Sequence, residues 1–77
     1  MNNRITTDPH ILGGKPIIRG TRIPVALLLE QLAVGTTIEE LLQNFSDLTR
    51  EDVAAALGFA HDLVAAEDFA PAPLAFA

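Results

Sequence analysis

The chain contains no cysteine. That removes disulfides, thiolate zinc sites and cysteine nucleophiles together, and it makes a reducing cytoplasm the expected location. Long hydrophobic runs are missing as well: even the longest, such as Val25 to Leu29, fall far short of the roughly 20 residues that cross a bilayer. Met1 to Arg4 leads into polar sequence without the apolar core of a signal peptide. Neither a secreted disulfide-stapled miniprotein nor a membrane span is expected. Length is scarce too. A chain of 77 residues makes one small domain, which buries only about 60% of the surface its unfolded form exposes. What is present is ordinary for a globular protein, 49% hydrophobic and 19% charged, a balance that argues against disorder.

Positive charge is sparse and unevenly placed. Residues 1–23 hold Arg4, Lys15, Arg19 and Arg22 against Asp8 alone, a net +3. Residues 24–77 hold Arg50 against nine acids, a net −8. Two surfaces with different partners follow from such an asymmetry, and a polyanion could approach only the first. A solvated acidic helical face beside scattered basic residues fits the charges equally well.

The first two dozen residues are broken by Pro9, Gly13, Gly14, Pro16, Gly20 and Pro24. Between them lie Ile5-Thr6-Thr7, Ile17-Ile18 and Thr21-Arg22-Ile23, short β-branched pieces that predict a β-arm or hairpin. Two strands are hardly stable alone, so the arm must lean on helices or on another chain. From Pro24 the period becomes helical. Val25, Leu28, Leu29 and Leu32 form one stripe, with Pro24 at the first helical position and Gly35 as the stop. Ile38, Leu41, Leu42 and Phe45 repeat the spacing behind a Thr37/Glu40 capping box. A third helix starts at the cap Thr49, with Asp52 complementing its dipole and Leu48 stapled over Val53. Its inward stripe is predicted through Val53, Ala56, Leu57, Ala60, Leu63 and Val64, ending at Pro71 and Pro73 unless Gly58 stops it earlier. The expected organisation is a single domain over residues 1–68, with a β-arm over 1–23 and a helical bundle over 24–68. An apolar, proline-containing tail follows over 69–77. The short link Ser46-Asp47-Leu48 fits a helix-turn-helix trihelix, and it fits any small three-helix bundle as well.

Chemistry is hard to assemble from these residues. Gly13-Gly14-Lys15 is not a phosphate loop, because Pro9 stands where the first glycine belongs and Pro16 where the hydroxyl belongs. His10 and His61 have no partner at metal-ligand spacing. Helix dipoles account for Glu39-Glu40 and Glu51-Asp52. Neither an enzyme nor a cofactor or metal site is expected. The densest stretch is GGKPIIRGTRIPV over residues 13–25, where Gly20 permits a tight reversal flanked by Arg19 and Arg22. With Lys15 and Thr21, these arginines are the candidate nucleic-acid contacts, a fork for phosphate or for a carboxylate.

Ile5-Thr6-Thr7-Asp8-Pro9, the GGKPIIRGTRIPV core and LLEQLAVGTTIEELLQNFSDLTREDVAAAL together resemble the small prokaryotic family known as domain of unknown function 433. The likeness covers about residues 4–61, and the tail after Asp62 departs from it. That family is regarded as antitoxin-like and related to Vap-type antitoxins. The resemblance implies a mainly α, homeodomain-like helical fold behind a short β-arm, and a partner toxin with a PIN-like nuclease domain that the antitoxin neutralises. The residues themselves qualify any role as a DNA reader: the third helix would offer Arg50, Glu51, Asp52, Ala54 and Ala55, an acidic start that opposes phosphate. The leading expectation is an antitoxin-like interaction protein, with operator DNA as a candidate second ligand. The alternatives are a DNA-binding transcription factor gripping the backbone with its basic arm, and a structural dimeric module without nucleic-acid contact. Leu27, Val34 and Phe59 fall off the helical stripes, and with Ile17 and Ile18 they predict the interface of a homodimer. Phe69, Leu74 and Phe76 predict a partner-binding tail.

Overall fold

The structure, a computed structural model, describes residues 3–66. Three helices follow a two-stranded antiparallel hairpin, as the sequence predicts. Strand β1 is Ile5–Thr6 and β2 is Ile17–Ile18, paired Ile5 to Ile18 and Thr6 to Ile17. Neighbouring strand residues point to opposite faces. Ile18 accordingly joins the helical core, while Ile17 lies against a depression lined by Thr6, Thr7, Asp8, Pro9 and Ile11. Both isoleucines are buried by their own chain, which removes them from the predicted homodimer interface. The connection between the strands accounts for that cover. It is shaped by a left-handed turn at Leu12 and Gly13, with φ 53° and 66°.

Helix α1 is Val25–Ala33. Pro24 sits one position earlier than predicted, as the N-cap, where it has no side-chain hydroxyl to offer. The arm does the capping instead: the Val25 amide donates to the Pro16 carbonyl at 3.0 Å, satisfying an amide that the helix leaves orphaned. At the other end Gly35 takes φ 97°. The Thr36 amide then reaches the Gln31 carbonyl and the Gly35 amide the Leu32 carbonyl, the paired closure of a Schellman motif.

Helix α2 is Ile38–Asn44 and α3 is Arg50–Ala65. Both begin with full capping boxes, Thr37 with Glu40 and Thr49 with Asp52. Gly58 does not interrupt α3. Leu48 and Val53 are both buried in the core, in keeping with a staple over the cap. Leu28, Leu41, Val53 and Ala56 are completely buried, joined by Ile5, Ile18, Val25, Leu48 and Ala55. Helix α3 is the central element, packing on α1, α2 and β1. Its inward face differs from the predicted stripe in the second half. Leu57, Leu63 and Val64 are exposed by 45%, 58% and 58%: Leu57 sits at the rim beside buried Ala56, and Leu63 and Val64 lie where α3 runs on past the elements that could cover it. Phe59, expected at an oligomer interface, packs against the core.

Candidate functional site

The basic arm is the first candidate. Arg19 and Arg22 flank a turn in which the Thr21 amide donates to the Ile18 carbonyl at 3.0 Å and Gly20 takes φ 80°, the left-handed value a type II reversal demands of its third residue. Thr21 holds that turn. Its hydroxyl donates to the Ile18 carbonyl at 2.7 Å and accepts from the Ile23 amide at 3.0 Å, so it serves the turn instead of standing ready as a nucleic-acid contact. The Nε of Arg19 donates to the Asn3 carbonyl at 2.6 Å. Arg19 therefore ties β2 to the residue preceding Arg4, and lines depressions with Asn3, Arg4, Asp52 and Phe59. Arg22 lines others, beside Gly20 and Thr21 and toward Asn44–Asp47, while Lys15 lies beside Leu12, Leu27 and Glu30. The predicted fork of two arginines is thus spread over separate surfaces. Lys15 and Arg22 are exposed and have no ion-pair partner among the described residues.

Sequence reasoning gave Asp52 a helix-dipole role only, and it missed the partner of Arg4. The carboxylate is buried, 6% exposed. One oxygen accepts from the Thr49 amide at 3.0 Å and the other from Arg4 Nη1 at 3.1 Å. A buried carboxylate needs such partners, and together they bolt the first strand to the start of α3. The linking signal, Arg4 to Asp52, spans 48 residues and leaves no local pattern. Arg50 is engaged as well, bonded to Glu39. That hydrogen bond, followed by Glu39's own amide and the guanidinium charge, holds the Glu39 carboxyl below the usual glutamate range. Glu40 is likewise lowered, by the backbone amide and then the hydroxyl of Thr37. With Asp52 and Ala55 buried and Arg50 paired, the start of α3 offers solvent chiefly Glu51 and Ala54. Such a surface lacks the donors that read base edges or phosphates.

His61 Nδ1 and Asp62 Oδ1 meet at 3.2 Å, both exposed, as a surface pair. Among the described residues there is no group of three or more His, Asp or Glu side chains that could hold a metal. No described helix is long and apolar enough to cross a membrane. The second candidate is the far half of α3. Every described residue from His61 to Ala66 is exposed, and the apolar side chains there continue the core face beyond Phe59. The predicted tail contacts Phe69, Leu74 and Phe76 lie outside the described residues.

The family model described as protein of unknown function (DUF433) matches residues 5–60, from the first strand to the last turn of α3 that meets the core. The chain belongs to the DUF433 family. A crystal structure of a DUF433 member protein from Anabaena variabilis superposes with a TM-score of 0.75 at 40% identity, covering 78% of this chain and 59% of that one. An uncharacterized protein, y4eO, of Sinorhizobium fredii is 38% identical over 52 residues, 68% of this chain. The chain spans about a quarter of that relative's length, 24%, so the DUF433 unit also occurs within a longer protein. Leu63 and Val64 lie past the DUF433 match.

Proposed function

We propose that this DUF433 chain is an antitoxin-like interaction protein that binds and silences a partner with a PIN-like nuclease domain. The supporting observation is the far half of α3, where Leu57, Leu63 and Val64 stay exposed on a well-formed helix. Exposed large apolar residues grouped on one element mark an interaction surface. Antitoxins of the Vap type, which the sequence resembles, act by such protein contacts. Co-expression with the product of the neighbouring gene tests the reading. The expected result is a complex that co-purifies and has lost nuclease activity. Separate elution with nuclease activity intact overturns it.

A second reading, operator DNA held by the arm, draws on the unpaired side chains of Lys15 and Arg22. Replacing Arg22 with alanine is then expected to weaken filter binding for all sequences alike and to flatten its salt dependence. Binding that is unchanged removes the arm from that role. Self-association is a further proposal on narrowed grounds. With Ile17 and Ile18 buried, it rests on half-buried Phe59 and on Leu27 and Val34, seven residues apart on α1 and its cap.

A further inference from the structure

Helix α1 and its cap are apolar almost all round: from Val25 to Val34, Glu30 and Gln31 are the only polar residues. A helix of that composition is normally buried on every side. Here only one side is. Val25 and Leu28 are sealed in the core, with Leu29 and Leu32 packed against it. Ala26, Leu27, Glu30, Ala33 and Val34 fall within about 120° of the opposite circumference, and all are exposed except half-buried Leu27. Pro24 and Leu27 form a ridge between two depressions. One holds Leu12, Lys15, Ala26 and Glu30, the other Arg22, Phe45 and Asp47. Leu12, 48% exposed and held at φ 53°, a conformation leucine rarely adopts, widens the apolar strip beyond the helix.

The charges around this ridge identify what covers it. Lys15 precedes Pro16, whose carbonyl takes the Val25 amide, and Arg22 stands two residues before Pro24. Both cations therefore flank the N-terminal end of α1, with Asp47 as the one acid beside Arg22. Glu30 lies about one turn beyond Leu27, towards the C-terminal end. None of these four side chains has an ion-pair partner among the described residues. An antiparallel copy centred on Leu27 lays its C-terminal half along this N-terminal end, and Glu30 of each copy then comes between Lys15 and Arg22 of the other. Moving the centre by one turn, so that Leu27 meets Val34, would set Glu30 against Glu30. A parallel copy would set cations against cations. We infer that the outer face of α1 pairs antiparallel with that of a second copy, with Leu27 on the two-fold axis and Glu30 of each copy paired to Lys15 and Arg22 of the other. The inference rests on the self-association proposed above and gives that pairing its orientation.

Sedimentation of the full chain over a range of micromolar concentrations measures the pairing. One variant carries Glu30→Lys, the other Lys15→Glu with Arg22→Glu. Each brings like charges together, and each is expected to raise the dissociation constant roughly tenfold or more. All three positions are exposed, so the helical circular dichroism of both variants should match the parent's. Mixing the two weakened chains decides the matter. The mixed pair sets acid against base at both of its contacts, and the mass of two copies should return. If the parent pairs and the charge variants pair as tightly, or if their mixture stays at the mass of one chain, the orientation falls and self-association stands. Tighter pairing of a Glu30→Gln variant than of the parent reveals the register shifted by one turn and also overturns the inference. A parent with the mass of one chain overturns both claims. If that single chain captures the neighbouring gene product and Glu30→Lys does not, the face belongs to that protein instead. Pairing that survives both charge variants and is lost on truncation after Asp68 assigns it to the tail, against the inference.

Discussion

Asp52 does two jobs with one carboxylate, and the two can be separated. Its inner position caps α3 through the Thr49 amide, and its outer oxygen holds Arg4. Replacing Asp52 with alanine removes the carboxylate half of the capping box and the bond from Arg4, for an expected loss of about 1–3 kcal/mol. Replacing Arg4 with alanine leaves the cap in place. Nearly half of that arginine side chain, 46%, is exposed, so solvent screening limits the expected loss to about 1 kcal/mol or less. Thermal melts of the two variants should rank in that order, and the reverse order would refute the account. Glu39 and Glu40 give a pH dependence of determinate sign. Both carboxyls titrate lower in the fold than in the unfolded chain. Their contribution is therefore full above the unfolded value of about 4.3 and is lost as pH falls through the lower folded values. A Glu39→Gln, Glu40→Gln variant should melt below the parent at neutral pH, and the gap should close in acid. A gap that is constant from neutral pH to pH ~2.5 would contradict this.

At the scale of an element, two glycines of similar surroundings make opposite demands. A Cβ added at Gly35 or at Gly58 meets nothing within 4 Å. Gly35, however, closes α1 at φ 97°, whereas Gly58 lies inside α3 with no positive φ. Gly35→Ala is expected to cost about 1–2 kcal/mol through backbone strain alone. Gly58→Ala is expected to stabilise by roughly 0.5–1 kcal/mol, since glycine weakens a helix interior. Denaturant midpoints of the two variants should move in opposite directions, and a shift of the same sign would show that packing outweighs backbone conformation here. These ends were legible in sequence because each depends on neighbours a few residues away. The Thr37/Glu40 and Thr49/Asp52 spacings and Gly35 are local patterns. The capping of α1 by Pro16 was not legible, since the donor and acceptor belong to different elements.

The whole molecule buries a small core, and its outer surface decides what it joins. Val34 is 74% exposed at the end of α1, and with Leu27 it is the apolar remainder of the proposed pairing surface. Light scattering at micromolar concentration should show a mass rising toward two copies for the parent. Val34→Lys should hold the mass at that of one chain, because a charge there would be buried at the pairing surface. A parent that scatters as a single chain ends the proposal. The α3 face lies on a different element, so its variants should leave this behaviour untouched.

Periodicity, breakers and caps determined by themselves that this chain folds as a β-arm and three helices, and where α2 and α3 begin. Those features follow from interactions within one turn or between adjacent residues, which a linear pattern records. Which apolar residues become core was decided only by the tertiary structure. Val53 and Leu63 stand on one predicted stripe, yet Val53 is sealed and Leu63 is 58% exposed, because a stripe tells which way a residue faces and not whether another element reaches it. Ile17 and Ile18 show the converse, residues without an evident local partner that the folded arm and core enclose. Arg4 found Asp52 for the same reason. The fold brought together two distant positions whose charges the sequence shows and whose proximity it does not.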